Sequence, residues 1–262
     1  MRRRLDAELV RRGLVPSRAR ATDAISAGRV LVAGAPATTP ARQVAADESI
    51  SLTAPPRRFV SRGGDKLDAA LSAFPVQVAG RRALDAGAST GGFTDCLLQH
   101  DAARVYAVDV GRGQLDWALR SDVRVTVLDR TNVKHLSAAD LEGVVPLVVA
   151  DLSFISLVRV APVLVACATD DADFVLLVKP QFEAGRDRIG KGGIVRDPDV
   201  HAAVLEEVMA GLHSVGLVVL GAIESPLRGA DGNREFLVHA QRAGVGIAST
   251  ALAALAYESS TP

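Results

Sequence analysis

Apolar and polar positions along this chain follow two rhythms, and the change falls near residue 54. Over residues 5–13, aliphatic and charged side chains recur at helical spacing and stop at a glycine, which predicts a short helix with a Gly C-cap. Ser17 heads a second helical stretch, residues 18–27, ended by Gly28. Residues 29–32 read as a short strand with a turn at Gly34, and weaker strand signals follow at 43–44 and 49–52. These pieces predict a compact α+β unit over residues 1–54. Pro55 and Pro56 then stiffen the chain, so residues 55–60 read as a linker.

Beyond the linker the rhythm alternates. A helix is expected over residues 65–74, with Lys66 in its first turn, where an ammonium opposes the macrodipole. Alone, Lys66 reads as an exposed surface lysine; its odd position hints at another purpose. Short apolar runs at 82–84, 105–108, 124–128, 145–150 and 174–178 are each followed by a charged residue: Asp85, Asp109, Asp129, Asp151 and Lys179. Helical stretches at 93–98, 114–120, 157–168 and 200–215 separate the strands, with Trp117 assigned to the core. Alternation of this kind means a parallel sheet covered by helices on both faces. Strands at 218–223 and 235–238 are joined by a loop, so the last is expected antiparallel. The fold class is therefore α/β: a Rossmann-like seven-stranded sheet over residues 61–245, with the small N-terminal unit before it. A long Gly- and Arg-rich loop spans 181–197, and a short Ala-rich helix and tail occupy 246–262.

Composition sharpens this picture in two places. Hydrophobic content of 48% and charge of 23% are ordinary for a soluble globular chain. The net charge of +0 hides an asymmetry: residues 1–60 hold eleven Arg and no Lys against five acidic residues. A basic appendage on an acidic body suggests a polyanion partner. Cys96 and Cys167 each sit in an apolar helical pattern and read as buried thiols in a reducing compartment, with neither a disulfide framework nor a zinc spacing. No metal is expected. The N-terminal residues lack an apolar stretch of signal-peptide length, and the longest apolar run, 144–168, is broken by Pro146, Asp151, Arg159 and Pro162. A cytoplasmic monomer that does not engage membranes is expected.

The candidate chemistry starts at residues 85–95, DAGASTGGFTD. A strand that breaks into a Gly-rich turn and opens a helix can cradle a nucleotide, with helix N–H groups aimed into the turn. The spacing is G-x-x-x-G-G and not the G-x-G-x-x-G of dinucleotide binders. Asp109, at the tip of the next strand, suits two ribose hydroxyls. Together they indicate an adenosine cofactor, and the missing dinucleotide fingerprint favours S-adenosylmethionine over NAD. Ligands of open α/β sheets bind outside the carboxyl ends of the parallel strands. Asp151, Lys179 and an antiparallel strand's Glu235 gather there, and Lys66 can reach over.

Residues 2–54 resemble the S4-type RNA-binding domain, whose basic side chains meet structured RNA through phosphates. That resemblance assigns RNA contact to Arg3, Arg4, Arg11, Arg18, Arg20 and Arg29, with Arg62 beyond the linker. SRGGDKL, DAGASTGGFTD, VADLSFIS, LVKPQFE and GNREF resemble the FtsJ-like ribose methyltransferases, specifically the TlyA family of rRNA 2′-O-methyltransferases, often labelled hemolysins. The linker carries Phe59 where family members often have Trp. The resemblance implies methyl transfer from S-adenosylmethionine to cytidine 2′-hydroxyls of 23S rRNA, and in some members also of 16S rRNA, within ribosomal subunits. It places a Lys-Asp-Lys-Glu tetrad on Lys66, Asp151, Lys179 and Glu235. Lys179 is the expected base; Lys66 nearby favours loss of its proton, and the two carboxylates orient the lysines. Gly87, Ser89, Gly91 and Phe93 are assigned to the methionine side and turn, Asp109 to the ribose, Asp129 with Asn132 to the adenine edge, and Asp85 to the cofactor site as a whole.

Three other readings were weighed. A nicotinamide oxidoreductase lacks its fingerprint here. A non-catalytic RNA-binding protein has no need of lysines and carboxylates at a pocket. A pore-forming hemolysin needs longer apolar runs. The stretch GRDRIGKG approaches a phosphate-binding loop, but Gly192 stands where magnesium needs Ser or Thr.

Overall fold

The computed structural model describes residues 2–53, 58–229 and 231–257, with the side chain of Arg186 left aside. The chain divides into two compact units, Met1–Arg58 and Phe59–Pro262. Most of the proline-containing linker, residues 54–57, and the tail after residue 257 lie outside the described residues.

In the first unit, β1 (Arg3–Arg4) leads directly into α1 (Leu5–Arg11), and α2 (Arg18–Ser26) follows. The Ser17 side chain accepts from the Arg20 N–H at 3.3 Å, so the expected N-cap forms. β2 (Val30–Val32) and β3 (Ala35–Pro36) are joined by Ala33 and Gly34, both at positive φ, as a two-residue hairpin loop needs. β4 (Gln43–Val44) pairs antiparallel with β1, and β5 (Ile50–Leu52) with β2. Leu5, Leu9, Ile25, Val30 and Val32 form the core.

Two carboxylates lie beneath the arginine surface of this unit. Asp6 accepts from Arg4 at 3.0 Å and from Arg18 at 2.8 Å. Glu8 accepts from Arg11 at 2.6 Å and from Arg12 at 2.8 Å. The arginines expected as a free basic skin are thus partly committed to internal partners. Arg4, Arg11 and Arg18 still expose 47, 49 and 60% of their side chains.

The second unit begins with α3 (Arg62–Ala73). This helix starts three residues earlier than the sequence suggests, so Lys66 lies beyond the first turn and is buried, not a surface lysine. Then follow β6 (Arg82–Ala86), α4 (Gly92–Gln99), β7 (Arg104–Val108), α5 (Trp117–Arg120), β8 (Val125–Leu128), β9 (Val145–Ala150) and α6 (Leu157–Ala166). β10 (Ala168–Val178), α7 (Pro180–Glu183), α8 (Pro198–Ser214), β11 (Val218–Glu224), β12 (Phe236–Gln241) and α9 (Ser249–Tyr257) complete it. The seven strands run in the order β11-β12-β10-β9-β6-β7-β8, and β12 is antiparallel to both neighbours.

Pleating sorts the side chains into two cores. Leu84, Val148 and Leu176 face one layer with α6 and α8, while Ala83, Leu147 and Val175 face the other with α3 and α4. Each fully buried leucine contributes about 1.5–3 kcal/mol of apolar transfer. No helix among the described residues is long and apolar enough to cross a membrane.

Three local expectations need correction. The helix expected at 114–120 shortens to α5, because the Asp116 side chain caps it by accepting from the Ala118 N–H. Trp117 is consequently at the surface, 78% exposed, and not in the core. The long loop after Lys179 is structured at its start by α7 and by a short 3-10 turn, Arg186–Arg188.

The Arg11 guanidinium, foremost, holds the Glu8 carboxyl down at about 2. A depressed carboxyl contributes stability above its unfolded value near 4.5 and loses that contribution as pH falls through its folded value. Glu8→Gln is therefore expected to lower the urea midpoint of the N-terminal unit at pH 7, read by backbone NMR. The gap from the parent protein is expected to close between about pH 4.5 and 2.

Candidate active site

The site is assembled at the carboxyl rim of the sheet. β6 ends at Ala86 and the chain turns at Gly87, whose φ of 91° lies in the left-handed region. A Cβ at Gly87 would sit 2.5 Å from the Asp151 carbonyl oxygen, so only glycine lets the two rim loops approach this closely. Gly91, at φ 98°, is the N-cap of α4. Ser89 and Gly111 donate their N–H groups to the two oxygens of Asp109, at 2.8 and 2.7 Å, which fixes that carboxylate at the tip of β7. Between the loops lies a crevice of about 160 Å³, walled by Gly63, Gly87, Ser89, Phe93, Ser153 and Lys179.

Two ion pairs stand at this rim. Lys66, from α3, donates to Glu235, the residue before β12. Lys179, after β10, lies 2.6 Å from Asp151, after β9. Sheet register explains the gathering: Val178 pairs with Phe236, and Leu176 with Ala150, so the residues just past these ends share one edge. Lys66, Lys179 and Glu235 are at most 9% exposed. Lys179 aims a hydrogen bond at Ser153 Oγ, 2.9 Å away, and its contact with Asp151 Oδ1 is too oblique to be a directed hydrogen bond.

The other expected residues have distinct surroundings. Asp85 is fully enclosed and absent from the crevice wall; Thr94 donates to one of its oxygens at 2.6 Å, and the other has no partner among the described residues. Burial, reinforced by the Asp151 charge, pushes its carboxyl up to about 7, while the Thr94 hydroxyl acts the other way. Asp129 accepts from Arg120 at 2.7 Å and from Gly113 N–H at 3.1 Å, and the Arg120 bond, foremost, lowers its carboxyl. Asn132 accepts from the Lys134 N–H and caps a 3-10 turn. Arg62 opens α3 and is exposed.

Several neighbours escaped sequence reasoning although they lie inside the quoted motifs. Phe154 is 92% exposed with φ 63°, and its ring lies 5.2 Å from that of Phe182. Asn233, almost fully buried, accepts from Val195 N–H and donates to the Gly193 carbonyl, which pins the end of the 181–197 loop. Glu183 reaches back to Ser156 Oγ and Leu157 N–H and fixes the start of α6. An aromatic three residues after Asp151 was a visible signal; the positive φ that turns Phe154 outward was not.

Comparison with known proteins matches residues 59–242 to the FtsJ-like methyltransferases and residues 3–50 to the S4 domain. The chain is 52% identical to the 16S/23S rRNA (cytidine-2′-O)-methyltransferase TlyA of Mycobacterium tuberculosis over 90% of its length and 89% of that protein's. It is 46% identical to YqxC of Bacillus subtilis, described as a suspected rRNA methyltransferase, over 93% of this chain and 87% of that one. A solved structure from Streptococcus thermophilus, described as a suspected hemolysin, superposes with a TM-score of 0.76 at 39% identity, covering 98% of this chain and 94% of that one.

Gly87→Ala is expected to push Asp151 out of place. With reacting groups displaced on the ångström scale, turnover is expected to fall about 100-fold even well below the melting point, which itself drops by about 2–4 °C because alanine is strained at this φ, as read by parallel rate assays and thermal melts.

Proposed function

Because this chain belongs to the FtsJ-like methyltransferase family and carries an S4 domain ahead of the catalytic one, we propose that it methylates cytidine 2′-hydroxyls of ribosomal RNA in assembled subunits, with S-adenosylmethionine as donor. The observation that carries this reading is the pair of buried ammonium–carboxylate contacts, Lys66–Glu235 and Lys179–Asp151, at the rim that holds the Gly87 crevice. A binding-only protein has no use for two ammonium–carboxylate pairs with three of their four members buried, a costly arrangement.

The residues present fit the donor. Gly87 and Gly91 leave backbone bare for a close ligand, and Asp109 is held ready for ribose hydroxyls. Asp85, enclosed behind the turn and held by Thr94, supports the methionine end from beneath and not by a surface contact. In this reading Gly87, Ser89, Gly91 and Phe93 shape the methionine end. Asp129 and Asn132 border the adenine, each with one oxygen already committed to the protein. When bound, the donor supplies an electrophilic methyl on a sulfonium.

The protein's part is to orient the acceptor and move one proton. The Lys179 amine accepts the 2′-hydroxyl proton as the oxygen–methyl bond forms and the sulfur–methyl bond breaks, and Asp151 orients that lysine. Ser153 holds the Lys179 side chain on the crevice side. Lys66 and Glu235 position the ribose, and the reaction needs no metal. Phe154 offers its exposed face to a base turned out of its stack, with Phe182 behind it. Arg3, Arg20, Arg29 and Arg62, with the exposed faces of Arg4, Arg11 and Arg18, meet phosphates. The protein acts as a cytoplasmic monomer on 23S rRNA, and 16S rRNA is a second substrate to test.

Labelled donor and intact subunits test this directly: label is expected at a cytidine ribose in the large-subunit RNA, mapped by nuclease digestion and mass spectrometry. Label on a base, or on protein alone, contradicts it. Lys179→Ala is expected to cut single-turnover methylation at least 100-fold while leaving the fold intact. Phe154→Ala is expected to act differently, raising KM for RNA about tenfold through lost stacking.

A further inference from the structure

We propose that Asp68, Cys96 and His100 form a binding site for a zinc-type divalent ion where α3 meets α4. Cys96 lies on α4 and His100, four residues on, is its C-cap, so the two side chains stand one turn apart on the same side. Asp68 comes from the facing side of α3, and its Oδ1 lies 2.9 Å from His100 Nε2. The three donor atoms all lie within 4.8 Å of one another, the one such cluster among the described residues.

Thiolate, imidazole and carboxylate are the donor set that zinc selects. Bonds of about 2.0–2.3 Å in tetrahedral geometry set donor atoms roughly 3.3–3.8 Å apart, so side-chain adjustments of about 1 Å close the site. Exposure is graded in the useful direction. Cys96 is fully buried at the floor, while the Asp68 and His100 side chains are 19 and 34% exposed at the mouth. An ion can enter from solvent, and water completes its fourth position. On binding, the Cys96 thiol loses its proton to the buffer and the thiolate sulfur bonds the ion, with no change of oxidation state.

None of the three residues lines the crevice, so the site is separate from methyl transfer. It is nevertheless tied to the same two helices. Lys66 precedes Asp68 by two residues on α3, and α4 opens at Gly92, beside the cofactor turn. An ion at this junction staples the helix that delivers Lys66 to the helix that borders the crevice. Sequence spacing missed it because the second cysteine, Cys167, lies far along the chain and the third ligand comes from another helix.

The test uses the full chain, stripped with chelator and titrated with cobalt(II) and then zinc(II). One equivalent of cobalt is expected to give a thiolate-to-metal charge-transfer band in the near ultraviolet. Zinc at about a hundredfold over its Kd is expected to raise Tm by roughly 5 °C. His100→Ala removes a half-exposed side chain, so it is expected to fold normally and bind cobalt at least tenfold more weakly. Cys96→Ser is expected to lose the band and Cys167→Ser to keep it. Absence of the band, its persistence in Cys96→Ser, or parental affinity in His100→Ala overturns the proposal and leaves an Asp–His ion pair over a buried thiol.

Discussion

Two ammonium–carboxylate contacts at the open end of a mostly parallel sheet organise this protein's catalytic unit. Lys66 meets Glu235, and Lys179 meets Asp151, with three of the four side chains almost fully removed from solvent. Charges in such surroundings are tolerated only when paired, and losing one partner strands the other. The neighbouring structure is therefore built to bring four residues from widely separated positions to one edge. Strand β12 inserts antiparallel between β10 and β11, which delivers Glu235 to the rim from the opposite chain direction. Helix α3 begins early enough to carry Lys66 over the sheet, and Gly87 lets the loop after β6 press against Asp151.

The N-terminal unit uses charge in another way. Its arginines are arranged around Asp6 and Glu8, two buried carboxylates that fix guanidinium groups in place while leaving much of Arg4, Arg11 and Arg18 exposed. Pre-set guanidinium forks lose less freedom on meeting phosphate than unrestrained side chains do. The same ion pairs that stabilise the small domain thus set the orientation of its surface guanidinium groups. In the catalytic unit, by contrast, the charges point at one another in two pairs, and one of them, Lys179–Asp151, lines the small crevice at the rim.

Much of this was legible in the sequence because it rests on local rules. The strand–turn–helix at DAGASTGGFTD, the buried runs VVPLVVA and FVLLV, and the loop between the last two strands announce an open α/β sheet with an antiparallel final strand. Charged residues just past apolar runs mark the rim for the same reason. Long-range partners were less legible. Nothing local reveals that Asp6 and Glu8 sit beneath the arginines, that Asp116 caps a short helix and leaves Trp117 in solvent, or that α3 starts at Arg62. Phe154 likewise owes its exposure to a backbone angle and not to its neighbours in sequence.

A co-crystal structure with S-adenosylhomocysteine and a cytidine-containing RNA fragment tests the central claim most directly. The account predicts the thioether sulfur in the Gly87 crevice, the adenosine ribose on Asp109, and the target 2′-oxygen within hydrogen-bond reach of Lys179. A cofactor seated elsewhere on the sheet, or a target ribose beyond the reach of Lys179 and Lys66, contradicts it.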